Sequence, residues 1–174
     1  MTIGPVVLKS IAPIIHEYDG KVDCHLMVSD PGKHIPEIAQ AGGDSVTFHY
    51  EAVYDPSTVA VVAREHGLQV GLAFNPESNP EDVVRAAAGF DLILCMSIHP
   101  GYSGQEFMPG AIDRISKLRG LVPADVFLQV DGGLGPDNVG QLYQAGADLL
   151  VAGTAIFDRE DLPRAYRRLV QALA

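Results

Sequence analysis

The segment Ala41-Gly42-Gly43-Asp44-Ser45-Val46-Thr47-Phe48-His49 decides the fold. A helix runs out at a glycine, an aspartate follows, and a short apolar strand begins at once. The same succession recurs at Gly89-Phe90-Asp91 before Leu92 and at Ala145-Gly146-Ala147-Asp148 before Leu149. Outward from these points, short β-branched or apolar runs begin near Val22, Ser45, Gln69, Leu92, Val126 and Leu149, each followed by a stretch of helical spacing. Helical faces read from Val59, Val62, Ala63 and His66, from Ile112, Ile115 and Leu118, from Val139, Leu142 and Tyr143, and from Leu162, Ala165, Tyr166, Leu169 and Leu173. Leu92 to Met96 and Leu149 to Ala152 are apolar on both faces, which predicts a parallel sheet covered by helices. The pattern is a βα repeat of six strands. One helix, Val6 to Ile15, precedes the first strand.

The 174 residues, 47% of them hydrophobic, suit one domain spanning 1–174. A formal net charge of −10 argues against nucleic acid and against anionic membrane surfaces, so an anionic ligand must be held locally. Cys24 and Cys95 each lie in an apolar run without metal-type spacing, as expected of free thiols in a reducing compartment. No apolar run reaches the ~18 residues of a membrane span. A soluble cytoplasmic protein is the expectation.

In α/β folds the chemistry gathers at the C-terminal ends of strands. Here those ends read Cys24-His25-Leu26-Met27, His49-Tyr50-Glu51, Phe74-Asn75-Pro76, Met96-Ser97-Ile98-His99-Pro100-Gly101, Asp131-Gly132-Gly133 and Gly153-Thr154-Ala155. Alternation puts His25 with Met27, and Gln129 with Asp131, on one face each. Strand starts recur about every two dozen residues, except that roughly ten more separate Leu92 from Val126 and make room for a loop over His99 to Met108. Gly132-Gly133 and Gly153-Thr154 can bring backbone N–H groups to an anion, although glycines of this kind also simply make tight turns. Asp131 could be a general acid or base or a metal ligand, but on its own reads first as an Asx turn or helix cap; His25 on its own reads first as a satisfied interior histidine. Met27 and Met96 are ordinary core fillers on their own.

These strings resemble the ribulose-phosphate 3-epimerases. The likeness rests on Thr2-Ile3-Gly4-Pro5, Asp23-Cys24-His25-Leu26-Met27, Thr47-Phe48-His49-Tyr50-Glu51, Met96-Ser97-Ile98-His99-Pro100-Gly101-Tyr102-Ser103-Gly104-Gln105, Val130-Asp131-Gly132-Gly133 and Ala152-Gly153-Thr154-Ala155-Ile156-Phe157. The resemblance implies an α/β fold, a (β/α)8 TIM barrel of the ribulose-phosphate-binding type, of which this chain carries strands three to eight. It implies interconversion of D-ribulose 5-phosphate and D-xylulose 5-phosphate by proton transfer at C3, with a divalent metal (Zn, Fe, Mn or Co) polarising the substrate. On that reading Asp131 is a catalytic acid and metal ligand, and His25 a metal ligand that also meets substrate. Met27 and Met96 line the reaction centre. Gly101, Tyr102, Ser103, Gly104, Gln105, Gly132, Gly133, Gly153 and Thr154 form the phosphate and lid segments, with Thr154 in place of a usual serine.

The family's His-x-Asp-x-Met-Asp-Gly motif, source of a second aspartate and a second histidine, has no counterpart here. The expectation is therefore an N-terminally truncated epimerase of weakened metal binding and poor activity. Open strand edges would favour a homo-oligomer. Two alternatives stay open: a phosphate-binding relic without turnover, and an epimerase of a six-carbon ketose phosphate. A Schiff-base aldolase lacks its strand-end lysine, and a hexulose-phosphate synthase lacks its Asp-x-Lys-x-x-Asp string.

Overall fold

A computed structural model describes residues 3–101 and 104–173. Helix α1 (Pro5–Glu17) leads into β1 (Asp23–Leu26), α2 (Ile35–Gln40), β2 (Ser45–His49), α3 (Pro56–Glu65), β3 (Gln69–Phe74), α4 (Pro80–Ala86) and β4 (Leu92–Met96). Then follow α5 (Gly110–Arg119), β5 (Phe127–Asp131), α6 (Val139–Gln144), β6 (Leu149–Val151), α7 (Thr154–Phe157) and α8 (Leu162–Gln171). The six strands pair in chain order and all in parallel. The six expected strand starts agree with the observed ones to within a residue.

The repeated glycine-then-aspartate has a structural reason beyond capping. Asp44, Asp91 and Asp148 each stand just before a strand and each reach back to the strand before it. Their carboxylates accept from the N–H groups of Val22 (2.7 Å), Val70 (2.7 Å) and Leu128 (2.8 Å). Their own N–H groups donate to the carbonyls of the same three residues. A cation steadies each clamp: Lys21 beside Asp44, Arg64 beside Asp91, Arg119 beside Asp148. The clamp therefore sets the register of consecutive parallel strands at their N-terminal ends.

The outer sheet face, with Val46, Phe48, Val70, Leu72, Ile93, Cys95, Leu128 and Val130, buries itself under the helices. The inner face carries a smaller apolar cluster of Ala73, Leu92, Leu94, Met96 and Ile98. Inner-face residues of β1 and β5 touch: Gln129 Nε2 donates to Asp23 Oδ2 at 3.1 Å, and His25 Nδ1 lies 3.5 Å from Asp131 Oδ2. In a flat sheet, strands four steps apart would lie about 19 Å from each other. The sheet is thus rolled into a trough whose walls meet through polar side chains. Gly71 lets the centre close, because a Cβ there would sit 2.3 Å from Thr47 Oγ1 and 2.8 Å from Leu92 Cδ2.

Burial on both faces holds for β4, whose five residues are all buried, but not for β6. Leu149 and Val151 stay 38% and 37% exposed. Strand β6 is an edge of the sheet, and these two side chains, in register with Gln129 and Asp131, face the open trough.

Candidate active site

The C-terminal ends of β1, β2 and β5 bring four titratable side chains into one line. His25 is on the inner face of β1, two residues below Met27. On β2, Thr47 is its register partner, so the next inward residue, His49, stands diagonally above it. The two imidazoles approach with Nε2 atoms 2.9 Å apart, ring planes inclined by 15° and centroids 5.0 Å apart. A face-to-face stack cannot bring ring atoms this close, so the nitrogens meet at the ring edges. On its far side His25 presents Nδ1 to Asp131 Oδ2, 3.5 Å away. On its far side His49 presents Nδ1 to Glu51 Oε2 at 3.4 Å. The order is Asp131, His25, His49, Glu51.

Glu51 is brought there by a short 3₁₀ turn, Tyr50–Ala52, that ends β2. Its other oxygen accepts from the Asn75 N–H at 2.8 Å and from the Ser78 hydroxyl. Partial burial acts to raise its pKa, but the bonds from His49, Ser78 and Asn75 outweigh it and hold the carboxyl at about 2. Glu51 is therefore a fixed anion at neutral pH. His49 and Glu51 stood in the strand-end strings without an assigned part. Inward parity along Thr47-Phe48-His49 was the signal that could have found His49.

A cavity of about 370 Å³ opens over the His49–Glu51 end of this line, bounded by Met27, His49, Glu51, Asn75 and Gly101 among others. Met27, just past the end of β1, is 48% exposed at its rim, whereas Met96 is wholly buried in the inner cluster.

A second cavity, of about 510 Å³, lies over the ends of β5 and β6, lined by Gly104, Gln105, Gly133, Thr154 and Arg159 among others. Gly132 and Gly133 adopt φ of 125° and 65°, conformations that disfavour side chains. A Cβ on Gly133 would lie 2.7 Å from Phe107 N and 3.0 Å from Gln105 O, so the segment Gln105 to Phe107 rests directly on this turn. Ser97 locks the turn from beneath. Its N–H donates to Asp131 O at 2.8 Å, and its hydroxyl sits 2.6 Å from Gly132 O. Gly153 caps α7, which opens with Thr154. The expected phosphate and lid residues are thus shared between the cavities, Gly101 at the first and Gly104, Gln105, Gly133 and Thr154 at the second. Tyr102 and Ser103 lie outside the described residues.

His25 Nδ1 and Asp131 Oδ2 face each other and suit a divalent cation as a pair of donors. Among the described residues no cluster of three or more His, Cys, Asp or Glu offers a fuller site. No helix among them is long and apolar enough to cross a membrane.

A rolled parallel sheet with polar residues gathered at its strand ends defines an α/β protein of the TIM-barrel type. Solved structures of that type superpose on it. A 3-hexulose-6-phosphate synthase matches at a TM-score of 0.74 and 24% identity, over 97% of this chain and 81% of that one. The 3-hexulose-6-phosphate synthase of Salmonella typhimurium matches at 0.76 and 22%, over 96% and 80%. At such identities the likeness concerns the fold alone. The model of the ribulose-phosphate 3 epimerase family matches residues 1–157. The ribulose-phosphate 3-epimerase of Escherichia coli (strain K12) is 36% identical over 177 residues, covering 100% of this chain and 78% of its own. Ribulose-phosphate 3-epimerase 2 of Cupriavidus necator is 34% identical over 180 residues, covering 99% and 73%. The chain belongs to the ribulose-phosphate 3-epimerase family, a family of enzymes.

Proposed function

We propose that the chain interconverts D-ribulose 5-phosphate and D-xylulose 5-phosphate, with Asp131 moving the proton at C3. The observation that carries this reading is the approach of Asp131 Oδ2 to His25 Nδ1 at the strand ends, next to a glycine turn that can take a phosphate. Asp131 and Gly133 are two residues apart on one strand end, so the acid and the anion-binding backbone keep a fixed separation. The phosphate is received by N–H groups of the Gly132-Gly133 turn and of the α7 start, where no side chain blocks approach at Gly153. His25 stands beside Asp131 as the second donor to a cation, and the first cavity receives the sugar end remote from phosphate.

A divalent ion would be held by His25 and Asp131, and when bound it polarises the C2 carbonyl so that the C3 proton is more acidic. Two protein donors are fewer than the three usual in catalytic zinc sites, so its affinity is low. Asp131 serves one face of C3.

The test is exchange of the C3 hydrogen of D-ribulose 5-phosphate in deuterated water with added Mn²⁺ or Zn²⁺, followed by NMR, because exchange reports proton removal even where inversion is slow. Wild-type protein is expected to exchange C3, and Asp131→Asn to lower the rate by ~100-fold or more. Equal rates in the two proteins would refute the role of Asp131. Binding without exchange identifies a phosphosugar-binding protein instead, and exchange confined to a six-carbon ketose phosphate moves the substrate.

A further inference from the structure

Two glycines in succession leave the peptide group between them free to turn over. Rotating the unit between Gly132 and Gly133 changes only ψ of the first and φ of the second, and neither residue has a Cβ to oppose it. In one orientation the unit offers its N–H to the second cavity; in the other it offers its carbonyl, which repels an anion. A group outside the pair must decide between them, and Ser97 is placed to do so. It is wholly buried, and its hydroxyl lies 2.6 Å from Gly132 O and 3.0 Å from Asp131 O. Both carbonyls only accept, so the hydroxyl donates. Asp131 O already takes the Ser97 N–H at 2.8 Å, which leaves the hydroxyl proton for the nearer Gly132 O.

The peptide is trans, so its N–H points opposite to its carbonyl. Ser97 directly follows β4, and the strands run in the order β4, β5, β6. A Gly132 carbonyl drawn toward Ser97 therefore sends the Gly133 N–H toward the β6 side, where the second cavity lies. Among the described residues nothing accepts from that N–H. The next carbonyl is tied off as well, because Gly133 O accepts from Asn138 Nδ2 at 3.1 Å. Ser97 is itself held on both sides: Met108 N–H donates to its carbonyl at 2.9 Å, and Arg114 Nη2 donates to the preceding Met96 O at 3.0 Å. We infer that Ser97 is a positioning residue for the phosphate group, which by holding Gly132 O keeps the Gly133 N–H aimed into the second cavity as a donor. This role rests on the phosphate reading of that cavity.

The experiment titrates ¹⁵N-glycine-labelled wild-type and Ser97→Ala protein, each the full 174-residue chain, with inorganic phosphate and follows the Gly133 amide, with Gly67 as a remote reference. Wild-type Gly133 is expected to shift its amide proton downfield. Ser97→Ala should need roughly 5- to 10-fold more phosphate for the same shift, the effect of one neutral hydrogen bond. Before phosphate is added, relaxation dispersion should show the Gly133 amide exchanging between two orientations in Ser97→Ala and still in wild type, a signature that a merely space-filling serine would not produce. If Ser97→Ala fails to fold, Ser97→Cys, which fills the site with a weak donor, gives the same decision. Equal phosphate midpoints, or a Gly133 amide equally still in both proteins, overturn the role of Ser97 and leave the phosphate reading standing. A wild-type Gly133 amide that does not respond to phosphate overturns the phosphate reading and the role of Ser97 with it.

Discussion

Removing the Asp91 carboxylate tests the clamp that organises the βα repeat. Asp91 Oδ2 takes the Val70 N–H at 2.7 Å, and Val70 is 0% exposed, so in Asp91→Ala that donor has neither carboxylate nor water. A hydrogen bond to a charged acceptor contributes about 1.5–3 kcal/mol, and an orphaned buried donor costs a similar amount. The accompanying ion pair with Arg64, at 3.2 Å and with the two side chains 46% and 32% exposed, adds at most about 1 kcal/mol. The expected loss is roughly 2–3 kcal/mol, which for a domain of this size lowers Tm by about 5–10 °C. Asp91→Asn retains an oxygen for Val70 and gives up only charge, so it should lose about 1 kcal/mol. Thermal and urea unfolding followed by circular dichroism measure both. A drop in Tm below ~2 °C for Asp91→Ala, or equal losses for the alanine and asparagine variants, would show that the backbone contact is not what the aspartate supplies.

Two further outcomes follow from the same geometry. Gly133→Ala places a Cβ 2.7 Å from Phe107 N at a φ of 65°, so it should displace the overlying segment and raise KM for the phosphosugar by ~10-fold or more, whereas Gly120→Ala, after α5 and meeting only Lys117 O at 3.5 Å, should leave KM unchanged. Equal KM values for the two variants would contradict the packing of loop on turn. Glu51 is held at about 2 against an ordinary 4.5, so its contribution to stability is complete above 4.5 and is lost as pH falls toward 2. Urea unfolding across that window should show stability falling with pH in wild type and a shallower slope in Glu51→Gln; Asp44, also lowered by the Val22 N–H, His16 and Lys21 against the opposing effect of burial, leaves a residual slope in both.

Local pattern carried much of this fold. The glycine that ends a helix, the aspartate after it and the apolar run beyond are neighbours in sequence, so strand starts could be read to within a residue. The aspartate's partner was not legible, because it lies on the preceding strand, 21 residues away for Asp91 and Val70. The exposure of β6 was hidden for a related reason: Leu149 and Val151 look like a doubly covered strand until the sheet's order makes them an edge. Inward parity placed His25, Gln129 and Asp131 on facing walls, yet contact between strands four steps apart depends on how tightly the sheet rolls. His49 and Glu51 were visible as residue types and silent as a pair. Their meeting needs the 3₁₀ turn after β2, which returns Glu51 beneath His49 and which no periodicity announces.

The arrangement of the two cavities follows from one strand end. Asp131 turns its side chain toward His25, Gly132 passes its carbonyl to Ser97, and Gly133 supports the loop over Phe107. Three consecutive residues thus meet His25, Ser97 and Phe107 in turn. Successive strand residues advance by about 3.3 Å, so a ligand held at Gly133 is placed relative to Asp131 by backbone alone, without reliance on flexible side chains. The opposite wall of the trough is built differently. There the position of His25 depends on a file of side chains that ends on Glu51, itself tied to Asn75 at the end of β3 and to Ser78 before α4. A change at Ser78 or Asn75 therefore reaches His25 through Glu51 and His49, whereas a change at Ser97 reaches Asp131 and the glycine turn together.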